Sequence, residues 1–215
     1  MPKVLITTVP FAKKNRLPLE LLEAIGAEYL INPLNKKLTE NELAEMVSDF
    51  DIIIAGTEPI TDFVIKKAKK LKMISRVGIG LDGVDLLAAE KMGIKVSYTP
   101  DAPAPAVAEF TIGLLITLLR SAQLSNIQMH RGNWHRYFGK RIANTTIGVI
   151  GLGRIGREVI KRALGMEMKI IGYDPFVNQD VFDTEKVKIV DLNNLCTVSD
   201  YITLHLPLLD STIDL

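Results

Sequence analysis

The 215-residue chain has 47% hydrophobic and 24% charged residues, which is ordinary for a globular protein and sufficient for one domain or two modest ones. Its 26 Lys and Arg residues nearly balance 25 Asp and Glu residues, so the overall charge favours neither nucleic acid nor an anionic membrane as a partner. The single cysteine, Cys196, excludes an internal disulfide and fits a reducing compartment, and we expect it to be a small apolar filler.

The chain shows no sequence that predicts export or membrane insertion. Its first residues, MPKVLITTVP, pass directly into a strand-like run and lack a signal-peptide core. The most membrane-like stretch, AVAEFTIGLLITLLRSA, contains Glu109 and Gly113 and is shorter than the roughly 20 residues that span a bilayer. We therefore interpret this stretch as a buried helix of a soluble protein and expect a cytoplasmic location.

Short apolar runs alternate with helical patterns over the first part of the chain. Most of these runs lack alternation of apolar and polar residues, as expected of parallel strands that are covered on both faces. We predict strands at 3–8, 28–32, 51–56, 72–77 and 94–98. The pattern is typical of a doubly wound α/β domain.

Two of the intervening helices have recognisable ends. Thr39 and Glu42 have the spacing of a capping box, and Asp85 precedes a helix that stops at Gly93. The residues placed as a hydrophobic staple around the capping box are Leu38 and Leu43.

The segment TPDAPAPAVAE interrupts this rhythm with three prolines, and a long apolar helix over about 106–122 follows. A break of this kind is a natural domain boundary, and we predict one domain over 1–100 and a second over 101–215. A second series of strands and helices begins beyond it. The predicted elements are strands at 146–151, 169–174, 187–190 and 201–207, with helices over 155–165 and from Asp191.

The pattern G-x-G-x-x-G occurs twice, as GIGLDG from residue 78 and as GLGRIG from residue 151. Each copy follows a predicted strand and precedes a helix, so the pattern alone does not say which copy binds a dinucleotide. A pyrophosphate binds N–H groups at a helix N-terminus, where the helix dipole favours negative charge. The first motif has acidic neighbours and the second has basic ones: Asp82 and Asp85 against Arg154 and Arg157.

A dinucleotide site also needs an acidic residue about 20 positions further on, which binds the ribose hydroxyls. Asp174 ends the predicted strand KIIGYD, 18 positions after Gly156, whereas Asp101 has the same offset from the first motif but lies past Pro100. We therefore assign the cofactor site to the second motif. The alternative is a tight turn with close helix packing and no ligand. The residues assigned on this argument are Gly151, Gly153, Gly156 and Asp174.

The carboxylate of Asp174 also favours NAD over NADP. A 2′-phosphate would lie against it, and the segment 174–178 contains no arginine that would offset the repulsion. Two close like charges repel by about 1–4 kcal/mol at a partly solvated position, which discriminates tenfold or more. We predict NAD as the cofactor, and we assign no metal-binding residues.

The chain resembles the D-isomer-specific 2-hydroxyacid dehydrogenase family in an ordered set of segments. GLGRIGREV is followed by GMEMKIIGYDP and LHLPL, and SRVGIGLDGVDLLAAEKMGIKV, AVAEFTIGLLITLLR and HRGNW precede them in the family's order. The resemblance covers the whole chain and is strongest to the phosphoglycerate dehydrogenase branch. It implies an NAD-dependent oxidoreductase that transfers hydride between the cofactor and C2 of a 2-hydroxy or 2-keto acid, 3-phosphoglycerate-like or related.

The resemblance also implies an architecture and a set of binding residues. A flavodoxin-like substrate domain with a parallel sheet would be followed by a Rossmann nucleotide-binding domain that is incomplete in this chain. The N–H groups offered to a substrate carboxylate would be those of Val77, Gly78 and Ile79. The pyrophosphate would be contacted by Arg154 and Ile155. The adenosine side would be lined by Leu206, Pro207 and Thr212.

The family's catalytic arginine, glutamate and histidine come from segments after LHLPL. The resemblance therefore places them beyond Leu215, which implies a truncated chain with no catalytic residue of its own. His205 is an alternative general base, but the resemblance makes it a wall residue on the cofactor side. Phosphoglycerate-specific relatives tend to carry a basic residue near the position of Glu58, and this difference argues against 3-phosphoglycerate as the substrate.

The segment MHRGNWHRYFGK is basic and amphipathic and contains His130, Trp134 and His135. We interpret it as a solvated or subunit-facing surface, because no wider basic field supports nucleic-acid binding. Trp134 is predicted to anchor an interface or to pack within its own domain. The family's usual assembly implies a homodimer through the 106–140 region.

Three functional interpretations remain open. The first is an NAD-dependent 2-hydroxyacid dehydrogenase acting on a small-molecule 2-hydroxy or 2-keto acid. The second is a catalytically incompetent NAD-binding remnant or regulatory subunit, which would pair with a partner through the edge of the strand 201–207. The third is a fragment of a normal enzyme of the same family.

Overall fold

A computed structural model describes residues 1–177, 182–183 and 185–215 of the chain. The chain divides into two compact units, Met1–Ala102 and Pro103–Leu215. Each unit contains one parallel sheet with helices, so the predicted α/β fold with two parallel sheets is confirmed. The assignment of 1–100 to substrate binding and of 101–215 to the cofactor stays a prediction.

The first unit is built on five strands. They are β1 Lys3–Ile6, β2 Glu28–Ile31, β3 Ile52–Ala55, β4 Met73–Arg76 and β5 Lys95–Tyr98. The sheet order is β2-β1-β3-β4-β5 with every pair parallel, which is the order of flavodoxin-type sheets. The strand order changes direction between β1 and β3, and the carboxyl edge at this point is where such sheets bind ligands. The helices are α1 Leu17–Ala24, α2 Glu40–Met46, α3 Asp62–Lys67 and α4 Leu86–Lys91, with a 3-10 turn at Val47–Asp49.

The predicted helix ends of the first unit are confirmed. The Thr39 hydroxyl accepts from the Glu42 N–H, and the Glu42 carboxylate accepts from the Thr39 N–H at 2.9 Å. The staple residues flanking this box are both buried in the core of the unit. Asp85 accepts from the Ala88 N–H at 2.9 Å at the start of α4. Local hydrogen bonds therefore decide where these short helices begin.

Helices α1 and α3 have no counterpart among the elements that we predicted. They are only 8 and 6 residues long. In α1, Leu19 is the single buried residue, so the helix has almost no apolar periodicity to recognise. Such short helices are stabilised by their packing on the sheet more than by their own sequence.

The described part of the second unit contains four strands and four helices. The strands are β6 Thr146–Ile150, β7 Lys169–Tyr173, β8 Val187–Ile189 and β9 Tyr201–Leu204, and the helices are α5 Ala104–Leu119, α6 Ala122–His130, α7 Arg154–Gly165 and α8 Leu192–Val198. The parallel order β8-β7-β6-β9 is that of the first four strands, 3-2-1-4, of a Rossmann sheet. Its strand order changes direction between β6 and β9. The loops after these two strands therefore lie side by side at the carboxyl edge.

The long apolar helix differs from its prediction in two ways. It ends at Leu119, and α6 follows after Ser121, whose backbone is left-handed with φ of 48°. Only one face of α5 is buried, along Ala108, Ile112 and Leu115, while Phe110 on another face is 67% exposed. The predicted buried helix is thus buried along one face only, which packs with α7 and β6 in the core of the unit.

Within the described part of the chain, no individual helix has the length and apolar character to cross a membrane. Helices α5 and α6 satisfy these criteria only when they are taken together, and their axes are bent by 64° at the break between them.

Two side chains for which buried packing was one of the sequence-based expectations are exposed at the surface. Cys196 is exposed on α8, because its neighbour Leu195 occupies the buried position, so the filler interpretation was wrong. Trp134 is 85% exposed, which contradicts the alternative that it packs within its own domain. The Phe138 side chain is fully exposed in the same segment, and the rings of His135 and Tyr137 meet edge to face at 4.4 Å.

The capping box makes the stability of the first unit depend on pH. Hydrogen bonds from the Lys36 ammonium and the Thr39 N–H lower the pKa of Glu42 from its ordinary 4.5 to about 2. Since the folded-state pKa lies below the unfolded value, the carboxylate stabilises the fold above about pH 4.5 and loses this contribution as the pH falls through about 2. Glu42→Gln keeps a capping acceptor but removes the charge, so the variant should unfold at lower urea than the wild type at pH 7, and the difference should be clearly smaller at about pH 2.5.

The matched control is Glu45→Gln, which removes an exposed carboxylate from the same helix. Its urea midpoint should stay close to that of the wild type at both pH values. Equal midpoints of wild type and Glu42→Gln at pH 7 would contradict the assigned role of this carboxylate.

Candidate functional site

The second glycine motif forms a very short connection between β6 and α7. Gly151 has φ of +90°, and its N–H donates to the Tyr173 carbonyl at 2.9 Å. A Cβ atom at this position would lie 2.6 Å from the His205 carbonyl oxygen. Both the left-handed backbone and the close approach therefore require glycine here.

The other two glycines of the motif have different physical reasons. A Cβ on Gly156 would collide with the Gly151 carbonyl oxygen, so the absence of a side chain lets α7 pack directly on the loop. Gly153 is the N-cap of α7, and no atom of the described residues lies within 4 Å of the position that its Cβ would occupy. Packing among these residues does not explain this glycine, whereas the approach of a ligand to the backbone does.

The N-terminus of α7 is suited to an anion. The first intrahelical hydrogen bond runs from the Arg157 N–H to the Gly153 carbonyl at 3.1 Å, and the N-cap supplies no side-chain acceptor. Donors that precede this bond point out of the helix end, and the helix dipole adds partial positive charge there. Arg154 is exposed in the first turn, whereas the Ile155 side chain packs against the core of the unit. Ile155 would therefore meet a pyrophosphate with its backbone.

Arg157 has a role that its charge alone did not predict. Its Nε donates to the Leu152 carbonyl at 3.0 Å, which fixes the side chain across the backbone of the glycine loop. The residue therefore stabilises the shape of the loop, in addition to adding positive charge near the helix N-terminus.

Asp174 and the glycine loop are joined directly. Its Oδ2 accepts from the Leu152 N–H at 2.9 Å, and its Oδ1 accepts from the Phe176 N–H at 2.9 Å. The carboxylate is half-buried and held by one bond from the loop and one from its own turn. Each carboxylate oxygen retains a further lone pair, so both can accept from ribose hydroxyls without leaving these donors.

The segment after β9 lies beside this loop. The His205 N–H donates to the Ile150 carbonyl at 2.8 Å, and Leu206 packs against a small apolar cluster that includes Ile150. The Thr212 hydroxyl donates to the Pro207 carbonyl at 2.7 Å and closes a turn. The structure thus brings Leu206 next to the glycine loop, while contacts of Pro207 and Thr212 with a ligand stay predictions.

His205 does not have the surroundings of a general base. Its Nε2 lies 2.9 Å from the Thr203 hydroxyl oxygen, and the ring is half-buried. Burial lowers the pKa of His205 below its ordinary value, which favours the neutral imidazole. A hydroxyl partner does not stabilise an imidazolium as an orienting carboxylate would.

The first glycine motif lies at the carboxyl edge of the first sheet. Gly78 has φ of +142°, and its N–H donates to the Thr99 hydroxyl at 2.8 Å. The Val77 N–H donates to the Ala55 carbonyl at 2.9 Å. A substrate carboxylate at Gly78 would have to replace the Thr99 hydroxyl, and the assignment of Val77, Gly78 and Ile79 stays a prediction.

Arg76 is a charged neighbour of this motif that the sequence argument missed. Its guanidinium donates to the Val77 carbonyl, and a Cβ on Gly78 would lie 2.6 Å from its Nη1. The available signal was a basic residue at the last position of a strand, directly before a glycine loop at a ligand-binding edge.

Glu58 is buried at the edge of the first sheet. The residue is only 2% exposed, and its carboxylate accepts from the Thr7 hydroxyl and from the Gly56 N–H at 2.9 Å. The side chain is directed into the protein, and the argument against 3-phosphoglycerate, which rests on the missing basic residue, stays a prediction. Among the described residues, no three His, Cys, Asp or Glu side chains are grouped to hold a metal ion.

Comparison with known proteins agrees with the observed fold. A family model described as "D-isomer specific 2-hydroxyacid dehydrogenase, NAD binding domain" matches residues 112–215. D-3-phosphoglycerate dehydrogenase of Methanocaldococcus jannaschii is 41% identical over 90% of this chain, and hydroxypyruvate reductase of Thermotoga maritima is 39% identical over 83%. The crystal structure of the TT0316 protein from Thermus thermophilus superposes with a TM-score of 0.86 and 29% identity, over 98% of this chain and 66% of that one.

The chain spans 37% of the length of the first of these relatives and 58% of the second. The matches to these relatives extend over both units, and the α/β fold with two parallel sheets accords with the superposed structure. This chain belongs to the D-isomer-specific 2-hydroxyacid dehydrogenase family.

Proposed function

We propose that this chain binds NAD at the β6–α7 loop and serves an enzyme that transfers hydride between NAD and C2 of a 2-hydroxy or 2-keto acid. The observation that carries the proposal is the glycine loop itself. Gly153 opens onto space that none of the described residues fills, and the Asp174 carboxylate is hydrogen-bonded to the same loop. This arrangement fits a pyrophosphate next to a ribose.

The residues of the chain would hold the cofactor in three places. The first turn of α7 would bind the pyrophosphate, with Arg154 adding charge and Ile155 a backbone N–H. Asp174 would accept from the ribose hydroxyls, and the adenosine side would be lined by Leu206, Pro207 and Thr212. When bound, NAD supplies the hydride chemistry, and the protein supplies binding and orientation.

The preference for NAD over NADP rests on the fixed position of Asp174. Two backbone N–H groups hold its carboxylate in place, so the side chain cannot turn away from a 2′-phosphate without losing both bonds. A phosphate there would meet a negative charge that is already desolvated on one side.

For the substrate we propose a small 2-hydroxy or 2-keto acid whose carboxylate binds N–H groups at Val77, Gly78 and Ile79. Arg76 at the end of β4 adds positive charge beside these residues. The named relatives are a 3-phosphoglycerate dehydrogenase and a hydroxypyruvate reductase, which supports this class of acid. We assign no catalytic acid or base to this chain.

We further propose a homodimer through the 106–140 region. Large apolar side chains are exposed on α5 and in the segment that follows α6, which is unusual for the surface of a monomer. The residues concerned include Phe110, Leu114, Leu118, Trp134 and Phe138.

Isothermal titration calorimetry of the chain with NAD and NADH tests the proposed cofactor. Heat and a one-to-one stoichiometry are expected with both forms, and an absence of heat on folded protein would contradict the proposal. A turnover assay on the same material with 2-keto acids and NADH then separates a dehydrogenase from a binding subunit that has no activity.

Gly153→Ala should weaken cofactor binding without affecting the fold. The added methyl group meets no atom of the described residues within 4 Å, so the melting temperature should change by no more than about 2 °C. In the complex the same methyl group would occupy the space of the pyrophosphate, so the Kd for NADH should rise at least tenfold, measured by fluorescence titration.

The matched control is Gly165→Ala, which also adds a methyl group to open space on α7 but at the end remote from the loop. It should leave both the melting temperature and the Kd unchanged. Unaltered NADH affinity in Gly153→Ala would show that the cofactor does not approach this turn.

Asp174→Asn should shift the cofactor preference towards NADP. The amide oxygen still accepts one of the two backbone N–H groups, while the negative charge opposite a 2′-phosphate is removed. The ratio of the Kd values for NADPH and NADH should fall about tenfold, equivalent to about 1.4 kcal/mol. An unchanged ratio would indicate that Asp174 lies away from the ribose.

A further inference from the structure

Glu58 is a buried carboxylate that the proposed chemistry does not use. It is one of three buried polar side chains among the described residues, with Thr7 and Asn32, and all three belong to the carboxyl edge of the first sheet. A carboxylate is costly to bury unless donors satisfy it. It also lies in the loop after β3, next to the end of β1, where the strand order changes direction and open α/β sheets bind their ligands.

The Glu58 side chain fastens its own loop to the neighbouring strand. Its Oε1 accepts from the Gly56 N–H at 2.9 Å and from the Thr7 hydroxyl. Thr7 is in turn held on β3, because its N–H donates to the Ile54 carbonyl at 3.0 Å. The carboxylate therefore ties the loop 56–61 to the ends of β1 and β3.

The same loop supports the first glycine motif. The Ile60 N–H donates to the Gly83 carbonyl at 2.6 Å, and the Asp85 N–H donates to the Ile60 carbonyl at 2.9 Å, forming an isolated parallel bridge. A Cβ on Gly83 would lie 3.0 Å from the Glu58 carbonyl oxygen. The last glycine of the motif is therefore favoured by its tight contact with the Glu58 loop, and no dinucleotide is needed to explain it.

We propose that Glu58 is a positioning residue for substrate binding. It holds the loop 56–61 in place, and this loop is hydrogen-bonded to Gly83 and Asp85, which follow directly along the chain from the turn at 77–79 that would bind the substrate carboxylate. The inference rests on the proposed function of that turn, and Glu58 itself does not touch the substrate. Loss of its carboxylate releases the loop from Thr7 and Gly56, so the N–H groups at 77–79 lose their fixed geometry.

A matched control distinguishes positioning from general stabilisation. Asp51 lies at the opposite, amino edge of the same sheet, where its Oδ2 accepts from the Lys3 N–H at 2.9 Å and its Oδ1 from the Lys72 ammonium at 2.8 Å. Asp51→Asn thus removes the charge of a carboxylate that also accepts from two donors, but at the end of the sheet opposite to the glycine motif. Asp51→Asn and Glu58→Ala should both lower the melting temperature, but only the substitution at Glu58 should alter the geometry of the turn at 77–79.

The first measurement is the binding of oxalate, used as a small probe for an acid carboxylate, to the full chain in the presence of saturating NADH. Backbone amide resonances of Val77, Gly78 and Ile79 report the titration by NMR. Glu58→Ala should weaken oxalate binding at least tenfold, Glu58→Gln by less than threefold because its amide oxygen still accepts, and Asp51→Asn not at all. Wild-type affinity in Glu58→Ala, or an equal loss in Asp51→Asn, would overturn the proposal.

The second measurement is amide hydrogen exchange without any ligand. In Glu58→Ala, exchange at the Ile60 and Asp85 amides, which are hydrogen-bonded across the contact between the loop and the motif, should accelerate at least tenfold relative to wild type, while the strands β1 and β3 keep their protection. Should Glu58→Ala fail to fold, Thr7→Val removes only the hydroxyl donor and should accelerate the same two amides to a smaller extent. Unchanged exchange at Ile60 and Asp85 in the folded variant would refute the role of Glu58.

The two measurements keep the failure of this inference separate from that of the proposed function. A wild-type chain that binds no oxalate would contradict the substrate role of residues 77–79, whereas the exchange data would still decide whether Glu58 holds the motif. NADH affinity should be the same in all four variants, because none of the substituted residues belongs to the cofactor loop.

Discussion

The close approach of α7 to the end of β6 is the constraint on which the cofactor unit depends. It exists because Gly156 has no side chain at the point where the helix meets the Gly151 carbonyl. With the helix in this position, its N-terminus opens next to the carboxyl ends of β6 and β7, and the Leu152 N–H reaches the Asp174 carboxylate. The proposed pyrophosphate donors and the proposed ribose acceptor would thus come from segments 22 residues apart, because parallel strands end at the same edge.

The glycine motif of the first unit also lies at the carboxyl edge of its sheet, but it is stabilised by different contacts. Its glycine motif does not begin a long helix directly, and Asp85 caps the six-residue helix α4 that follows it. The motif is hydrogen-bonded to the loop after β3, where the Ile60 N–H donates to the Gly83 carbonyl, and that loop is held by the buried carboxylate of Glu58. Two motifs of identical pattern therefore form different structures: one opens a helix N-terminus, and the other makes a contact between two loops.

The second unit has apolar side chains on its surface that its own packing does not cover. Helix α5 covers the sheet with one face and leaves Phe110 and Leu118 exposed on others. The outer edge strand β9 carries Ile202 and Leu204, both exposed. Apolar side chains in these numbers are typical of surfaces that meet further protein, which agrees with the proposed homodimer.

Much of the molecule followed from the sequence alone, and the reason is that its signals are local. Apolar runs located all nine strands of the described residues, and the spacing of Thr39 and Glu42 gave the capping box. The register of strand, glycine motif and Asp174 predicted a loop to which the Asp174 carboxylate is indeed hydrogen-bonded, while its role in binding a dinucleotide stays a prediction. Tertiary structure decided what depends on contacts between distant segments. In the folded chain, Glu58 points inward to Thr7, Cys196 is exposed and about half of α5 is uncovered. Arg76 lies against the turn at Gly78. Burial and side-chain direction are set by which elements pack together and not by the residues adjacent in the chain, so these features could not be predicted from the sequence.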